Sequence, residues 1–168
     1  MRSTVSLDRF DIKILAHLQR EGRCSNVDLA DAVGLTPSPC LARTKRLQKL
    51  GVIRGFDADI ALEKLGDFVT VFSEVTIRDH RRNDFRIFEE AIGKHPEIVE
   101  CYNVSGGYDY LLKIVTPSVA LFQELMEKLL EAEIGIRRFS SRIVLRQPFG
   151  NRKCPIGMIA PAPDRNRE

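Results

Sequence analysis

The amino-acid sequence predicts an α+β fold, with an N-terminal winged helix-turn-helix domain joined to a C-terminal ferredoxin-like domain built on an antiparallel sheet. Three observations support this prediction. Apolar residues recur at helical spacing in three short segments within the first 50 residues. Strand-like and helix-like segments then follow in the order βαββαβ. The charge also divides, because residues 1–54 hold ten basic and five acidic side chains, and residues 55–150 hold twelve and sixteen.

The first two predicted helices occupy residues 7–33. Leu7, Phe10, Ile14 and Leu18 share one face of a helix, which Gly22 is placed to end. The segment 25–28, Ser-Asn-Val-Asp, resembles a capping box with Asp in the place of Glu, and it opens a short second helix that ends at Gly34.

The third predicted helix follows a tight turn. Thr36 and Pro37 suit a helix start, and Gly51 closes the apolar pattern of residues 40–50. Cys40, Thr44 and Leu47 fall on one face, which we expect to pack on the first two helices. Helix, helix, turn, helix is the order of a DNA-binding helix-turn-helix.

Basic residues concentrate on this third helix. Residues 36–54 contain five Lys or Arg and no acid, which favours a polyanionic partner over a solvated helix face. A recognition helix presents its N-terminal residues and one polar face to the major groove, where Arg can bind guanine in a bidentate way. The predicted contacts to double-stranded DNA are Thr36, Ser38, Pro39, Arg43, Lys45, Arg46, Lys49 and Arg54.

The two domains are joined by a predicted hinge. Residues 52–60 alternate in character like a strand, and residues 61–66 have little pattern. We therefore expect a DNA-binding domain at 1–54, a hinge strand and linker at 55–66, a ferredoxin-like domain at 67–147 and a flexible tail at 148–168. The tail contains Pro155, Pro161 and Pro163 among charged residues.

The second domain contains four predicted strands and two predicted helices. Residues 68–77 are rich in β-branched and aromatic side chains, and residues 98–104 and 108–115 form a hairpin around Ser105-Gly106-Gly107. Helices are expected at 84–95 and 117–133, and a last strand at 136–145. Two helices cover only one face of such a sheet, so self-association is the simplest way to cover the other.

Several classes of protein are excluded by composition. No apolar run approaches a membrane span, and charged residues interrupt the first 15 positions where a signal peptide would need an apolar core. The four cysteines show no C-x-x-C pair and no neighbouring His, so we expect free thiols in a cytoplasmic protein without a metal or a cofactor.

In combination, these features resemble the Lrp/AsnC (feast/famine) family of bacterial and archaeal transcription regulators over about residues 6–146. The resemblance rests on the N-terminal stretches 7–15, 33–40 and 51–56, on Arg43 and Arg46-Leu47, and on the C-terminal stretches 104–112 and 143–145. It implies a DNA-binding domain, a domain that binds a small effector, usually an amino acid, and homodimers that commonly assemble into octamers.

The resemblance also implies a position for the effector. The family binds it between C-terminal domains of neighbouring dimers, near a Gly-Asp-Tyr turn, which maps here onto Gly106, Gly107, Tyr108, Asp109, Tyr110 and Ser141. Paired glycines expose N–H groups to a carboxylate, and an Asp accepts hydrogen bonds from an amino group. The alternative is a plain hairpin whose Tyr110 packs on the sheet. Phe139 departs from the Thr of many members.

Three functions are considered for a chain with these features. The first is a sequence-specific regulator of amino-acid metabolism or transport genes that responds to an amino acid. The second is an architectural DNA binder without an effector. The third is an enzyme, since the sirohaem decarboxylases use a similar scaffold. His17, His80 and His95 form no recognisable catalytic group, so we expect no enzymatic activity.

Overall fold

The computed structural model describes residues 5–150 and 153–159. The chain divides into two compact units: unit 1 comprises Met1–Ile60 with Phe149–Glu168, and unit 2 comprises Ala61–Pro148. Each unit has a separate hydrophobic core.

Unit 1 contains the three predicted helices, α1 (Arg9–Arg20), α2 (Asn26–Val33) and α3 (Pro37–Lys49). A capping box opens α1, because the Asp8 carboxylate accepts the N–H groups of Phe10 and Asp11 while the Asp11 carboxylate accepts the N–H of Asp8. Gly34 ends α2 with a φ of 75°, a left-handed conformation that glycine adopts without strain. The turn between α2 and α3 follows directly.

The core of unit 1 is small. It consists of Ile14 from α1, Leu29, Ala30 and Val33 from α2, and Cys40 and Leu47 from α3. Thr44 lies beside the two α3 residues as predicted, half-buried, and its hydroxyl donates to the Cys40 carbonyl at 3.0 Å.

The predicted hinge strand is absent from the single chain. The described part of unit 1 contains no β-strand, and residues 54–61 lie between α3 and a single 3-10 turn at Leu62–Lys64. A strand needs a neighbouring edge for its N–H and C=O groups, and unit 1 offers none. Phe56 and Ile60, which gave the segment its alternating pattern, are exposed.

Part of the predicted flexible tail is packed. Residues 156–159 form a short helix, α6 (Ile156–Ile159), that contacts α1. The Gln19 side-chain amide, oriented to satisfy both of its groups, donates to the Cys154 carbonyl at 2.8 Å and accepts the Cys154 N–H at 3.1 Å. The remainder of the predicted tail beyond residue 150, at 151–152 and 160–168, lies outside the described residues.

Unit 2 has the predicted βαββαβ order. Its elements are β1 (Val69–Ile77), α4 (Arg82–Ile92), β2 (Ile98–Asn103), β3 (Tyr110–Thr116), α5 (Val119–Glu131) and β4 (Ile136–Ile143). The strands form one sheet in the order β2-β3-β1-β4, and all three pairings are antiparallel. This arrangement confirms the ferredoxin-like prediction.

Strict alternation along the central strands separates the two faces of the sheet. In β1, Val71, Ser73, Val75 and Ile77 are buried while the residues between them are half-buried. The buried side chains belong to a core that includes Phe88 and Ile92 of α4 and four residues of α5. Both helices therefore pack on the same face, and the opposite face has no layer over it within unit 2.

No helix in the described part of the chain is long and apolar enough to cross a membrane. The same residues contain no cluster of three metal-ligating side chains. All four cysteines, Cys24, Cys40, Cys101 and Cys154, are free thiols.

Candidate DNA interface and ligand site

The exposed surface of α3 is the candidate DNA interface. At 100° per residue, Ser38, Lys45 and Lys49 lie on the side of the helix opposite Cys40 and Leu47. All three are exposed, as are Thr36, Pro39 and Arg54. Within residues 5–150 and 153–159, neither lysine forms an ion pair, so both ammonium groups are available to phosphates.

Arg43 and Arg46 lie at the edge of this surface and contact α1 instead. Arg43 Nη1 lies 2.5 Å from Asp8 Oδ2 and 3.0 Å from Asp11 Oδ1. Arg46 Nη1 lies 3.0 Å from Asp11 Oδ2, and its second amino group donates to the Ser6 carbonyl at 3.0 Å. Four hydrogen bonds to three residues, Ser6, Asp8 and Asp11, thus hold two of the predicted DNA-contacting arginines.

The acid at the centre of this network is far more buried than the two arginines. The Asp11 side chain is 2% exposed, whereas Arg43 and Arg46 are 31% and 46% exposed. Burial alone would raise the pKa of Asp8, but N–H groups of the helix start and the Arg43 guanidinium outweigh it and lower that pKa. Hydrogen bonding to Asp8 in turn raises the pKa of Arg43. Both groups therefore stay charged at neutral pH.

Sequence reasoning missed the role of Asp8 and Asp11. The acidic partners lie 32 to 35 residues from the arginines that they bind, so no local spacing indicated the contact. The available signal was the pair of acids three positions apart at the start of the first helix. The contact of the exposed α3 residues with DNA stays a prediction.

The candidate ligand site begins at the loop between β2 and β3. Residues 104–109 join the two strands, and Gly106 has a φ of 135°, which side-chain-bearing residues rarely adopt. Gly106 and Gly107 are exposed, and a Cβ atom added to either would meet nothing within 4 Å. The backbone of this loop is therefore open to close approach.

Asp109 fastens this loop to β1. Its carboxylate accepts the Ile77 N–H at 2.8 Å and lies 3.0 Å from His80 Nε2, while its own N–H donates to the Val75 carbonyl. The carbonyl of Asp109 accepts from the Asn103 side chain at 3.2 Å. His80 and Asn103 were not predicted, and Asp109 already has a structural role in the single chain.

Tyr110 points away from the loop and into unit 2. It is 1% exposed, its ring lies 4.7 Å from that of Phe88, and its hydroxyl donates to Glu89 at 2.7 Å. Burial and the neighbouring Glu89 carboxylate raise its pKa. A cavity of about 310 Å³ beside it is lined by Glu89, Ile92, Gly93, Ile98, Cys101, Asn103 and Tyr110.

Ser141 is separate from the loop within one chain. It pairs with Ser73 across β1 and β4, with the two hydroxyl oxygens 2.8 Å apart. Because β1 stands between β4 and β3, Ser141 does not join the predicted turn residues Gly106, Gly107, Tyr108, Asp109 and Tyr110 in the single chain. Phe139, the departure from the family pattern, packs against the core of unit 2.

Two family models match the chain, one within unit 1 and one that covers most of unit 2 and the first residues after it. Residues 7–54 match the model described as winged helix-turn-helix DNA-binding. Residues 70–153 match the model described as Lrp/AsnC ligand binding domain.

Curated relatives cover most of the chain. The transcriptional regulatory protein DoeX of Halomonas elongata is 37% identical over 142 residues, covering 84% of this chain and 90% of its own length. The leucine-responsive regulatory protein of Escherichia coli is 38% identical over 141 residues, covering 84% of this chain and 86% of its own. Both relatives are named as regulators, and neither is named as an enzyme.

Solved structures share the fold over nearly their full length. An AsnC family transcriptional regulator from Agrobacterium tumefaciens has a TM-score of 0.83 at 34% identity, covering 91% of this chain and 99% of its own. A transcriptional regulator from Neisseria meningitidis, solved in complex with L-Met, has a TM-score of 0.83 at 31% identity, covering 92% and 99%.

Proposed function

This chain belongs to the Lrp/AsnC family of DNA-binding transcriptional regulators, and we propose that an amino acid bound to unit 2 alters how unit 1 binds its DNA site. The family assignment includes both a DNA-binding domain and an amino-acid-binding domain. The proposal adds that the effector binds between C-terminal domains of adjacent dimers and that the controlled genes serve amino-acid metabolism or transport. Its site of action is the cytoplasm, where such genes are transcribed.

The observation that carries the proposal for unit 1 is the unpaired cationic side of α3. Lys45 and Lys49 lie one helical turn apart, and Ser38 lies near the helix start on the same side. A helix placed in the major groove with this side inward directs both ammonium groups at phosphates. Exposed Arg54 adds a further cation after the helix.

The proposed effector site uses the open backbone of the β2–β3 loop. A carboxylate is recognised well by backbone N–H groups, and a Cβ atom added to Gly106 or Gly107 would meet nothing within 4 Å, so a ligand can approach this backbone closely. The L-Met complex of the Neisseria regulator supports an amino acid as the ligand class. Since Ser141 lies two strands away, its predicted contact requires a second subunit, in line with a site between dimers.

Dimerisation is proposed through the face of the sheet that α4 and α5 leave uncovered. Phe72, Leu111 and Val115 alternate there with polar residues and are half-buried. Ion pairs Glu74–Arg142 at 2.6 Å and Glu100–Lys113 at 2.9 Å surround them. An apolar centre with a polar rim is the usual anatomy of a protein interface.

The oligomer is tested by sedimentation of the purified chain. We expect a dimer or a multiple of dimers up to the octamer, and a monomer for Phe72→Glu, because a carboxylate cannot be buried between two sheets without a partner. An unchanged sedimentation coefficient for Phe72→Glu would place the interface elsewhere.

The function is tested by selecting binding sites from random duplex DNA and then screening the twenty amino acids. We expect the selected duplex to bind more tightly than a scrambled one, with an affinity that falls steeply as salt rises. An effector at 100 times its dissociation constant adds about 2.7 kcal/mol to the free energy of unfolding of the unit that binds it. Selective DNA binding without a response to any amino acid would favour the architectural DNA binder.

A further inference from the structure

We propose that Asp11 is a positioning residue for DNA recognition: it holds Arg43 and Arg46 against α1, where they fix the orientation of α3 and add no free charge to the DNA-facing surface. The inference rests on the DNA-binding function proposed above for the same helix. It gives Arg43 and Arg46, which were predicted as DNA contacts, a positioning role. It also adds Asp11, which the sequence pattern did not indicate.

Both carboxylate oxygens of Asp11 accept hydrogen bonds. Oδ1 accepts from Arg43, and Oδ2 accepts from Arg46 and from the Asp8 N–H at 3.0 and 3.2 Å. The residue is 1% exposed, so water cannot replace these partners. A buried carboxylate is stable only when it is paired and hydrogen-bonded, which makes the two arginines part of the folded structure of unit 1.

The charges in this network cancel. Two guanidinium groups meet two carboxylates, since Arg43 also contacts Asp8. A cation that is already neutralised by an acid releases few counterions when DNA arrives, whereas Lys45 and Lys49 have no acidic partner in the described residues. On α3 the lysines therefore supply the salt-dependent contacts, and the arginines set the angle at which the helix meets the groove.

Loss of the acid would free the arginines. A groove of about 480 Å³ beside the network is lined by Ser6, Asp8, Asp11, Pro39, Ala42, Arg43 and Arg46, which leaves room for a released guanidinium to swing outward. Asp11→Asn keeps the size of the side chain and removes its charge. Its effect on DNA binding therefore separates positioning from simple stability.

We expect Asp11→Asn to bind scrambled DNA more tightly and to discriminate less. The slope of log affinity against log salt should steepen by about one to two, at roughly 0.9 for each added phosphate contact. The ratio of selected to scrambled affinity should fall by about five- to tenfold, as for the loss of one well-placed base contact. A merely structural role would weaken binding to both duplexes and leave the slope unchanged, which would overturn the proposal.

Arg43→Gln and Lys45→Gln form a matched pair that does not depend on Asp11→Asn folding. Each removes one positive charge from α3, two positions apart. We expect Lys45→Gln to reduce the salt slope by about 0.9 with little change in discrimination. Arg43→Gln should leave the slope unchanged and lower discrimination. Equal reductions of the slope by both variants would overturn the positioning role.

The controls distinguish failure of this inference from failure of the proposed function. The helical circular dichroism of each variant must equal that of the unmodified chain, which shows that the helices of unit 1 are folded before binding is measured. If the unmodified chain shows no salt-dependent DNA binding, the proposed function fails, and this inference with it. If it binds selectively and the matched pair behaves alike, only the role of Asp11 is wrong.

Discussion

Unit 2 is stabilised mainly by apolar packing, whereas unit 1 relies on a smaller core and a network of charges. In the described residues, fourteen buried apolar side chains form the core of unit 2 and six form that of unit 1. The smaller core is supplemented by the Asp8, Asp11, Arg43 and Arg46 contacts between α1 and α3. Charge in unit 1 therefore has two uses: the paired groups join α1 to α3, and the unpaired lysines are the ones that we propose for DNA contact.

Two separate cores also mean that unfolding need not be a single transition. All three tyrosines, Tyr102, Tyr108 and Tyr110, lie in unit 2, and the chain has no tryptophan. Tyrosine fluorescence therefore follows unit 2 alone, and helical circular dichroism follows both units. Substitutions in one unit should therefore shift the unfolding transition seen by one of these two spectroscopic signals and leave the other in place.

The largest effect is expected from Phe88→Ala in unit 2. Phe88 is 0% exposed and contacts the Tyr110 ring, so its removal leaves a cavity that costs about 3–5 kcal/mol in the free energy of unfolding. Tyrosine fluorescence during urea unfolding measures this change. Ile87→Ala on the exposed side of the same helix is the control and should change little. Equal losses from the two variants would contradict the packing of α4 on the sheet.

Leu47→Ala should destabilise unit 1 by about 2–5 kcal/mol. Leu47 is 0% exposed in a core of six residues, and Leu41, 42% exposed on the same helix, supplies the control Leu41→Ala. During urea unfolding, we expect part of the helical circular dichroism to be lost at a lower urea concentration, while the midpoint of the tyrosine fluorescence transition stays the same. A shift of the tyrosine midpoint as large as the helical one would show that the units unfold together.

Ser141→Ala should cost about 1–3 kcal/mol, because it leaves the buried Ser73 hydroxyl without its partner. The double variant with Ser73→Ala removes both polar groups and should recover most of that loss. Tyrosine fluorescence during urea unfolding measures both. A double variant less stable than Ser141→Ala would mean that the hydroxyl pair is not the cause. The result also shows whether Ser141 stabilises unit 2 independently of any ligand.

High pH should weaken unit 2 through Tyr110. Burial raises the folded-state pKa of Tyr110 above its ordinary value of 10.0, so its stabilising effect is complete below pH 10 and declines as pH rises toward the folded-state pKa. The loss is up to about 1.4 kcal/mol for each pH unit. Thermal unfolding between pH 9 and pH 11 measures it. Tyr110→Phe should flatten the dependence, and an equally steep curve for that variant would assign it to another group.

Local patterns predicted most of the fold. The apolar spacing of residues 7–21 and the capping residue Ser25 predict the start of unit 1. The β-branched and aromatic residues at 68–77 and the Gly106-Gly107 turn predict strands of unit 2. These features depend on residues a few positions apart, which sequence reveals directly. The strand predicted at 52–60 does not form in the single chain, because pairing requires an edge, which alternation does not guarantee.

The candidate sites were less predictable because their contacts join distant parts of the chain. The position of Arg43 depends on Asp11, and that of Asp109 depends on Ile77 and His80, 32 and 29 residues away. Helical spacing grouped Arg43 and Arg46 on one polar face, but it carried no information on whether an acid already bound them. The position of Tyr110 in the core follows the alternation of β3, which the turn motif obscured.

The return of the chain to α1 makes unit 2 an insertion within unit 1. The backbone crosses from unit 1 to unit 2 at residue 60 and crosses back at residue 148, and Cys154 then binds Gln19 of α1. A single protease cut in the exposed stretch 55–66 therefore does not yield one fragment for each unit, because the C-terminal fragment keeps part of unit 1. A recombinant fragment that ends at residue 60 leaves the Gln19 amide without its main-chain partner, so it is not an equivalent of the native DNA-binding unit.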